Sequence, residues 1–206
     1  RIGVNALYLR IPVFHVKTSN QVRYALSDAL LNPAIEIILI DLRGNRGGLL
    51  NAAVEVADEF VASGVIASTK GRQEQSNLLF LAKPDGLAEN KHLLVLTDKN
   101  TASAAELLAG ILRINGQAQL MGQKTYGKSA VQTQIQLKNG EALSLTTATY
   151  YFSDGSVVHR HGLAPDFKIP AWKLKRHPPL AFSPSNQAAV SVDKFLKRVI
   201  EDSAKP

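Results

Sequence analysis

Short apolar runs alternate with stretches of helical period through most of the chain, which is the arrangement of an α/β fold. The clearest run is Ile35 to Leu42, where only Glu36 and Asp41 interrupt the apolar residues. A short run of this kind predicts a strand covered on both faces. His92 to Thr97 predicts a second, which passes through Asp98-Lys99-Asn100-Thr101 into a helix over Ala102 to Leu112. A first strand is expected near Val4 to Ile11. After it, Ser19 or Asn20 is the expected cap of a helix with Val22, Ala25, Leu26, Ala29 and Leu30 on one face, ending before Pro33.

The Gly-rich stretch Arg43 to Gly48 leads into a helix with Val54, Ala57, Phe60 and Val61 inward. Gly64 to Ala67 reads as a strand, Lys70 to Asn90 as a polar, irregular surface excursion, and Ala118 to Met121 as a short strand. Asn139-Gly140 between the partly alternating segments Ser129 to Leu137 and Ala142 to Phe152 predicts a hairpin. The Pro-rich tract Pro165 to Pro184 is expected on the surface, followed by a last short helix at Val190 to Ile200.

Composition narrows the class. Hydrophobic residues at 45% and charged residues at 20% fit a globular chain, and 206 residues suffice for one large domain. No apolar run approaches the roughly 18 residues of a membrane span. The chain begins at Arg1 without a methionine or a signal-like stretch, so the sequence reads as a cut or mature fragment. The absence of cysteine removes thiol catalysis, disulfides and cysteine-rich zinc sites together. A net charge of +7 is spread along the chain, with one modest cluster at Lys173, Lys175, Arg176 and His177 and no interleaved aromatics, which argues against a nucleic-acid platform.

Three features carry candidate chemistry. Ser103 falls in the first turn of a helix that follows a buried strand, where unpaired N–H groups and the helix dipole favour a developing oxyanion. Serine is also an ordinary helix cap, so position alone does not mark a catalyst. Lys128 follows Gly127 into a strand. A lysine pointing inward from there would be desolvated, its pKa depressed, and able to take a proton from a serine hydroxyl. Asp41-Leu42-Arg43-Gly44-Asn45-Arg46-Gly47-Gly48 lies at the carboxyl end of a buried strand, where open α/β sheets bind ligands, and lacks the spacing of a nucleotide loop. Lys128 and Gln132, at i and i+4 of a strand, would share a face. His159 and His161 flank Arg160 without a third ligand nearby, so no metal is assigned.

Together "DLRGNRGG" (41–48), "NTASAAELLAG" (100–110), "GQKTYGKSAVQ" (122–132) and "LTTATYYFSDGSVVHRHGLAPD" (145–166) resemble the carboxy-terminal processing proteases, also called tail-specific proteases. The resemblance spans roughly residues 2 to 170, and "IGVNALYLRI" is similar to the strand that opens the family's catalytic core after its inserted PDZ module. It implies an α/β, crotonase-like (ClpP/crotonase-type) ββα superhelical core with a mixed sheet. It implies a peptidase core over residues 1–170, with 171–206 as an extension packing on it. It places the nucleophile on Ser103, the general base on Lys128, the lysine-orienting glutamine on Gln132, and the oxyanion donors on Ala104 and either Gly47 or Gly48. Arg46, Asn100 and Ala105 depart from the family's usual residues without removing a catalytic group.

The activity implied is a serine endopeptidase cutting proteins near their C termini, in the periplasm or otherwise exported, with no cofactor. The partner expected is a protein or peptide substrate, without nucleic acid or stable membrane insertion, and a homo-oligomer is compatible with the chain. Two rivals share this type of fold: a non-catalytic ligand- or peptide-binding module, and a crotonase-like acyl-group enzyme.

Overall fold

The computed structural model describes residues 6–88, 90–115 and 118–176. Val4, and the helix expected at Val190 to Ile200, lie outside the described residues. In chain order the elements are β1 (Ala6–Arg10), α1 (Thr18–Ala29), β2 (Ile37–Asp41), α2 (Leu50–Asp58), β3 (Val65–Gly71), β4 (Leu79–Leu81), β5 (His92–Thr97), α3 (Ala104–Ile114), β6 (Ala118–Gly122), β7 (Ala130–Gln136), β8 (Ala142–Phe152), β9 (Phe167–Lys168) and α4 (Ala171–Arg176).

Strand alternation explains why Ile35 to Leu42 is apolar almost throughout. Ile38 and Ile40 point into the main core with Leu7, Leu9, Leu93 and Val95, and the intervening Leu39 points to the other face with Tyr8, Leu94 and Leu96. Three amphipathic helices cover the first face. Val22 and Leu26 of α1, Ala53 and Val56 of α2, and Leu107, Leu108 and Ile111 of α3 are all buried there. Ile169 and Leu174 of α4 close part of the second face. Burying one such leucine or isoleucine contributes about 1.5–3 kcal/mol, so both faces favour the strand register found.

Parallel and antiparallel pairings are both present, but they are divided between two sheets instead of sharing the one mixed sheet expected. One has the order β1-β2-β5-β6-β9 with every pair parallel, and the other the order β4-β3-β8-β7 with every pair antiparallel. The sheets meet across α3, where Ala67, Tyr150 and Phe152 join the main core. Gly110 makes this packing possible: a Cβ there would stand 2.2 Å from two atoms of the Phe152 ring.

Several boundaries differ from the sequence reading. Ser19 and Asn20 lie inside α1 and do not cap it; Ser19 Oγ donates to Glu55 Oε2 (2.6 Å), while Thr18 Oγ1 accepts from His15 N (3.0 Å). The strand expected at Gly64 to Ala67 runs on to Gly71. The supposed excursion over Lys70 to Asn90 contains β4, which pairs with β3 through backbone bonds that need no apolar alternation. Within the Pro-rich tract, β9 joins the edge of the parallel sheet.

Candidate active site

The Gly-rich loop leaves β2 at Asp41, a fully buried carboxylate that accepts from Tyr8 Oη (2.7 Å) and pairs with Arg43 (2.6 Å). Burial works against the Arg43 cation, and the hydrogen bond and charge of Asp41 outweigh it, so the guanidinium is held above its ordinary value. Asn45, also buried, anchors the next turn: its Nδ2 donates to Ile11 O (2.8 Å) and its Oδ1 accepts from Gly47 N (2.7 Å). Its own carbonyl accepts from Ala102 N (2.9 Å), so the loop is stitched to the entry of α3. Thr101 Oγ1 adds a second stitch to Leu42 O (2.9 Å).

Gly47, at φ 104°, lies directly against the turn that carries Ser103. A Cβ on it would meet Ser103 Cβ at 2.9 Å and Ala104 N at 3.0 Å. Among the described residues no acceptor receives the amides of Gly48 and Ala104, whereas that of Gly47 is spent on Asn45. A first helical residue such as Ala104 has no intrahelical acceptor for its N–H.

Ser103 has φ 56° and ψ −122°, a conformation that costs a residue with a side chain on the order of 1–3 kcal/mol. The surroundings hold it there. Its N–H donates to Glu106 Oε2 (3.0 Å), and its carbonyl accepts from Leu107 N (2.9 Å) and Tyr150 Oη (3.3 Å). Burial, and secondarily the negative charge of Glu106, push the Tyr150 phenol well above its ordinary value, so it remains a donor. The sequence reading started this helix at Ala102. The positive φ of Ser103 moves the first helical residue to Ala104.

Lys128 sits two residues before β7, on a turn whose Gly127 (φ 98°) packs against the backbone of Arg160 to Gly162. It is half-buried rather than turned into the interior as its place at a strand entrance suggested. Its Nζ donates to Gln132 Oε1 (3.1 Å), the expected pairing, and makes no hydrogen bond to Ser103 Oγ. The hairpin beyond is irregular: Val131 pairs with Ala148 and Gln132 with Thr146, leaving Thr147 as an extra residue on β8. His159 Nδ1 lies 3.3 Å from Ser129 Oγ.

Glu106 joins these parts, and the sequence reading passed over it. Its side chain is fully buried. Oε1 accepts from Thr125 Oγ1 and Gly127 N (2.6 Å), and Oε2 accepts from Ser103 N (3.0 Å) and Lys128 N (2.8 Å). Ser103-x-x-Glu106 has the spacing by which a helix-start glutamate reaches back to the residue that caps it, a signal visible in the sequence. The other three donors come from a loop some twenty positions later, which spacing does not reveal.

Comparison with known proteins gives the family. The sequence profile of "Peptidase family S41" matches residues 5–169. The chain belongs to peptidase family S41. It is 37% identical over 165 residues to a carboxy-terminal-processing protease of Bartonella bacilliformis, covering 79% of this chain and 38% of that protein. It is 34% identical over 166 residues to the carboxyl-terminal-processing protease of Synechocystis, covering 81% and 38%. Among solved structures, the photosystem II D1 C-terminal processing protease superposes with a TM-score of 0.70 at 28% identity, over 80% of this chain and 42% of that one. An S41 protein from Bacteroides fragilis superposes with a TM-score of 0.79 over 97% of this chain at 17% identity, a likeness of fold. The chain thus spans under two-fifths of the length of the curated relatives it matches.

Proposed function

We propose that this S41 chain carries the catalytic core of a serine endopeptidase that cuts protein substrates near their C termini, with Ser103 as nucleophile and Lys128 as general base. The observation that carries the reading is the strained Ser103 turn, set against Gly47 and bound through one glutamate oxygen to the backbone of Lys128. In the reaction, Lys128 Nζ is the base that takes the Ser103 Oγ proton as Oγ attacks the scissile carbonyl. Gln132 Oε1 orients Nζ for that transfer. The tetrahedral oxyanion is stabilised by the amides of Ala104 and of Gly48, whose N–H, unlike that of Gly47, has no acceptor among the described residues. Lys128 returns the proton to the leaving amine; water, deprotonated in its turn by Lys128, then attacks the acyl carbonyl, and that proton passes to Ser103 Oγ as the ester bond breaks.

For this transfer Lys128 Nζ turns from Gln132 toward Ser103 Oγ, a tightening that substrate binding commonly supplies. The finer fold assignment, a crotonase-type ββα superhelix, belongs to the same reading; the strand–helix pairs β2–α2 and β5–α3, packed beside strands of the second sheet, support it. Residues 1–170 serve as the peptidase core and 171–206 as an extension, consistent with the contact of Leu174 with the second face of the parallel sheet. An exported location, periplasmic or equivalent, is part of the reading; some relatives are named chloroplastic. The test is digestion of an unstructured protein by the parent, Ser103→Ala and Lys128→Ala, each checked for folding. Loss of cleavage in both variants is expected, and parental rates in either would overturn the assignment. Tight binding of a ligand without any turnover by the parent would favour a binding module instead.

A further inference from the structure

The carboxylate of Glu106 is placed where a change in it reaches both members of the proposed dyad. A single oxygen, Oε2, accepts from the backbone amides of Ser103 and Lys128, so both nitrogens are held within hydrogen-bond reach of one atom. The second oxygen accepts from Thr125 Oγ1 and Gly127 N, which anchors the turn on which Lys128 stands. All four partners donate, and a carboxylate offers about four lone-pair sites, so its acceptor capacity is filled with none left for water or substrate. Full burial leaves no water to replace a lost acceptor.

From this geometry we infer that Glu106 is a positioning residue for the reaction: its carboxylate sets the separation of Ser103 and Lys128 by binding the backbone of each, and bonds neither Oγ nor Nζ. Ser103 and Lys128 reach the site on elements of different sheets, the former at the end of the β5–α3 connection and the latter before β7. Glu106 is bonded to the backbone of both. The inference rests on the reading of Ser103 and Lys128 as nucleophile and base, and adds to it the residue that keeps them in register.

Glu106→Gln is the informative change, because its volume is kept while one acceptor oxygen becomes an NH2, which then faces either the amides of Ser103 and Lys128 or the hydroxyl of Thr125 and the amide of Gly127. The expected result is a kcat lowered about 100-fold, the scale of an ångström-level misplacement, with KM changed less than about threefold. Labelling of Ser103 by a fluorophosphonate probe slows in parallel. Amide hydrogen exchange at Ser103 and Lys128 accelerates together in the variant, a readout that requires no turnover. A folded Glu106→Gln protein with parental kcat, or with parental protection at both amides, would overturn the inference. A role confined to stability lowers the unfolding temperature while the folded fraction keeps its kcat and probe rate, and that result also overturns it. Should Glu106→Gln not fold, Thr125→Val decides, since it deletes one donor to Oε1 and alters no dyad residue; a kcat lowered roughly three- to tenfold supports the inference, the scale of one net hydrogen bond, and an unchanged kcat refutes it. Failure of the protease reading itself is recognised separately, as a parent whose cleavage does not depend on Ser103.

Discussion

Gly47 and Ser103 leave no room for a carbon between them: a Cβ on Gly47 would stand 2.9 Å from Ser103 Cβ and 3.0 Å from Ala102 O. Gly47 also has φ 104°, which an L side chain rarely adopts. Gly47→Ala is therefore expected to destabilise the chain by about 1–3 kcal/mol and to displace the serine turn. Denaturant unfolding and probe labelling of Ser103 check the two parts, and a stable variant labelled at the parental rate would contradict them.

Removing the acceptor of Lys128 tests a different contact. In Gln132→Ala, Nζ loses its bond to Oε1, which is on the exposed side of the site and so leaves no buried group unsatisfied. Stability is expected to stay within about 0.5 kcal/mol of the parent. Peptide cleavage is expected to fall in kcat by about five- to tenfold, the scale of one net hydrogen bond, with KM nearly constant.

Tyr150 gives a pH dependence of definite sign. Its phenol is raised well above 10.0 by burial and by Glu106, so the folded state favours the protonated form. The stability this contributes is fully present below the ordinary tyrosine value and is lost as pH rises through the folded one. The parent is expected to lose stability more steeply than Tyr150→Phe above about pH 10, read as the shift of the unfolding midpoint with pH. Equal slopes would show that the phenol titrates as if exposed.

Gly110 and Phe152 offer a paired test of the contact between the sheets. Gly110→Ala places a carbon 2.2 Å from the ring and is expected to cost about 1–3 kcal/mol by overpacking. Phe152→Leu, destabilising by itself, should cost less in the Gly110→Ala background, because the smaller side chain makes room. A double-mutant cycle in chemical unfolding measures the coupling, and additive effects would refute the contact.

Much of this molecule was legible in its sequence for a physical reason. Ile38, Leu39 and Ile40 are buried on both faces of one sheet, so their run announces β2, and Asn139-Gly140 sits at the tip of the β7–β8 hairpin as its turn chemistry requires. The segment 70–90 misled because β4 rests mainly on backbone pairing, with Leu79 and Leu81 exposed. At the site, the contact of Lys128 with Gln132 was anticipated from an i, i+4 strand face, although Lys128 precedes β7 and Gln132 follows an irregularity in it. The strain at Ser103 was not, since a backbone dihedral is imposed by Gly47, Tyr150 and Glu106, all remote or unremarked in sequence. Nor was the engagement of the Gly47 amide, which depends on where the side chain of Asn45 points.

Ser103 and Lys128 arrive on separate slabs of structure. Ser103 and the glycine loop are sewn together at the rim of the parallel sheet, through Asn45 and Thr101, while Lys128 and Gln132 ride with the antiparallel one. Between them runs a seam from one sheet to the other. Glu106 and Tyr150 are two of the pins across it.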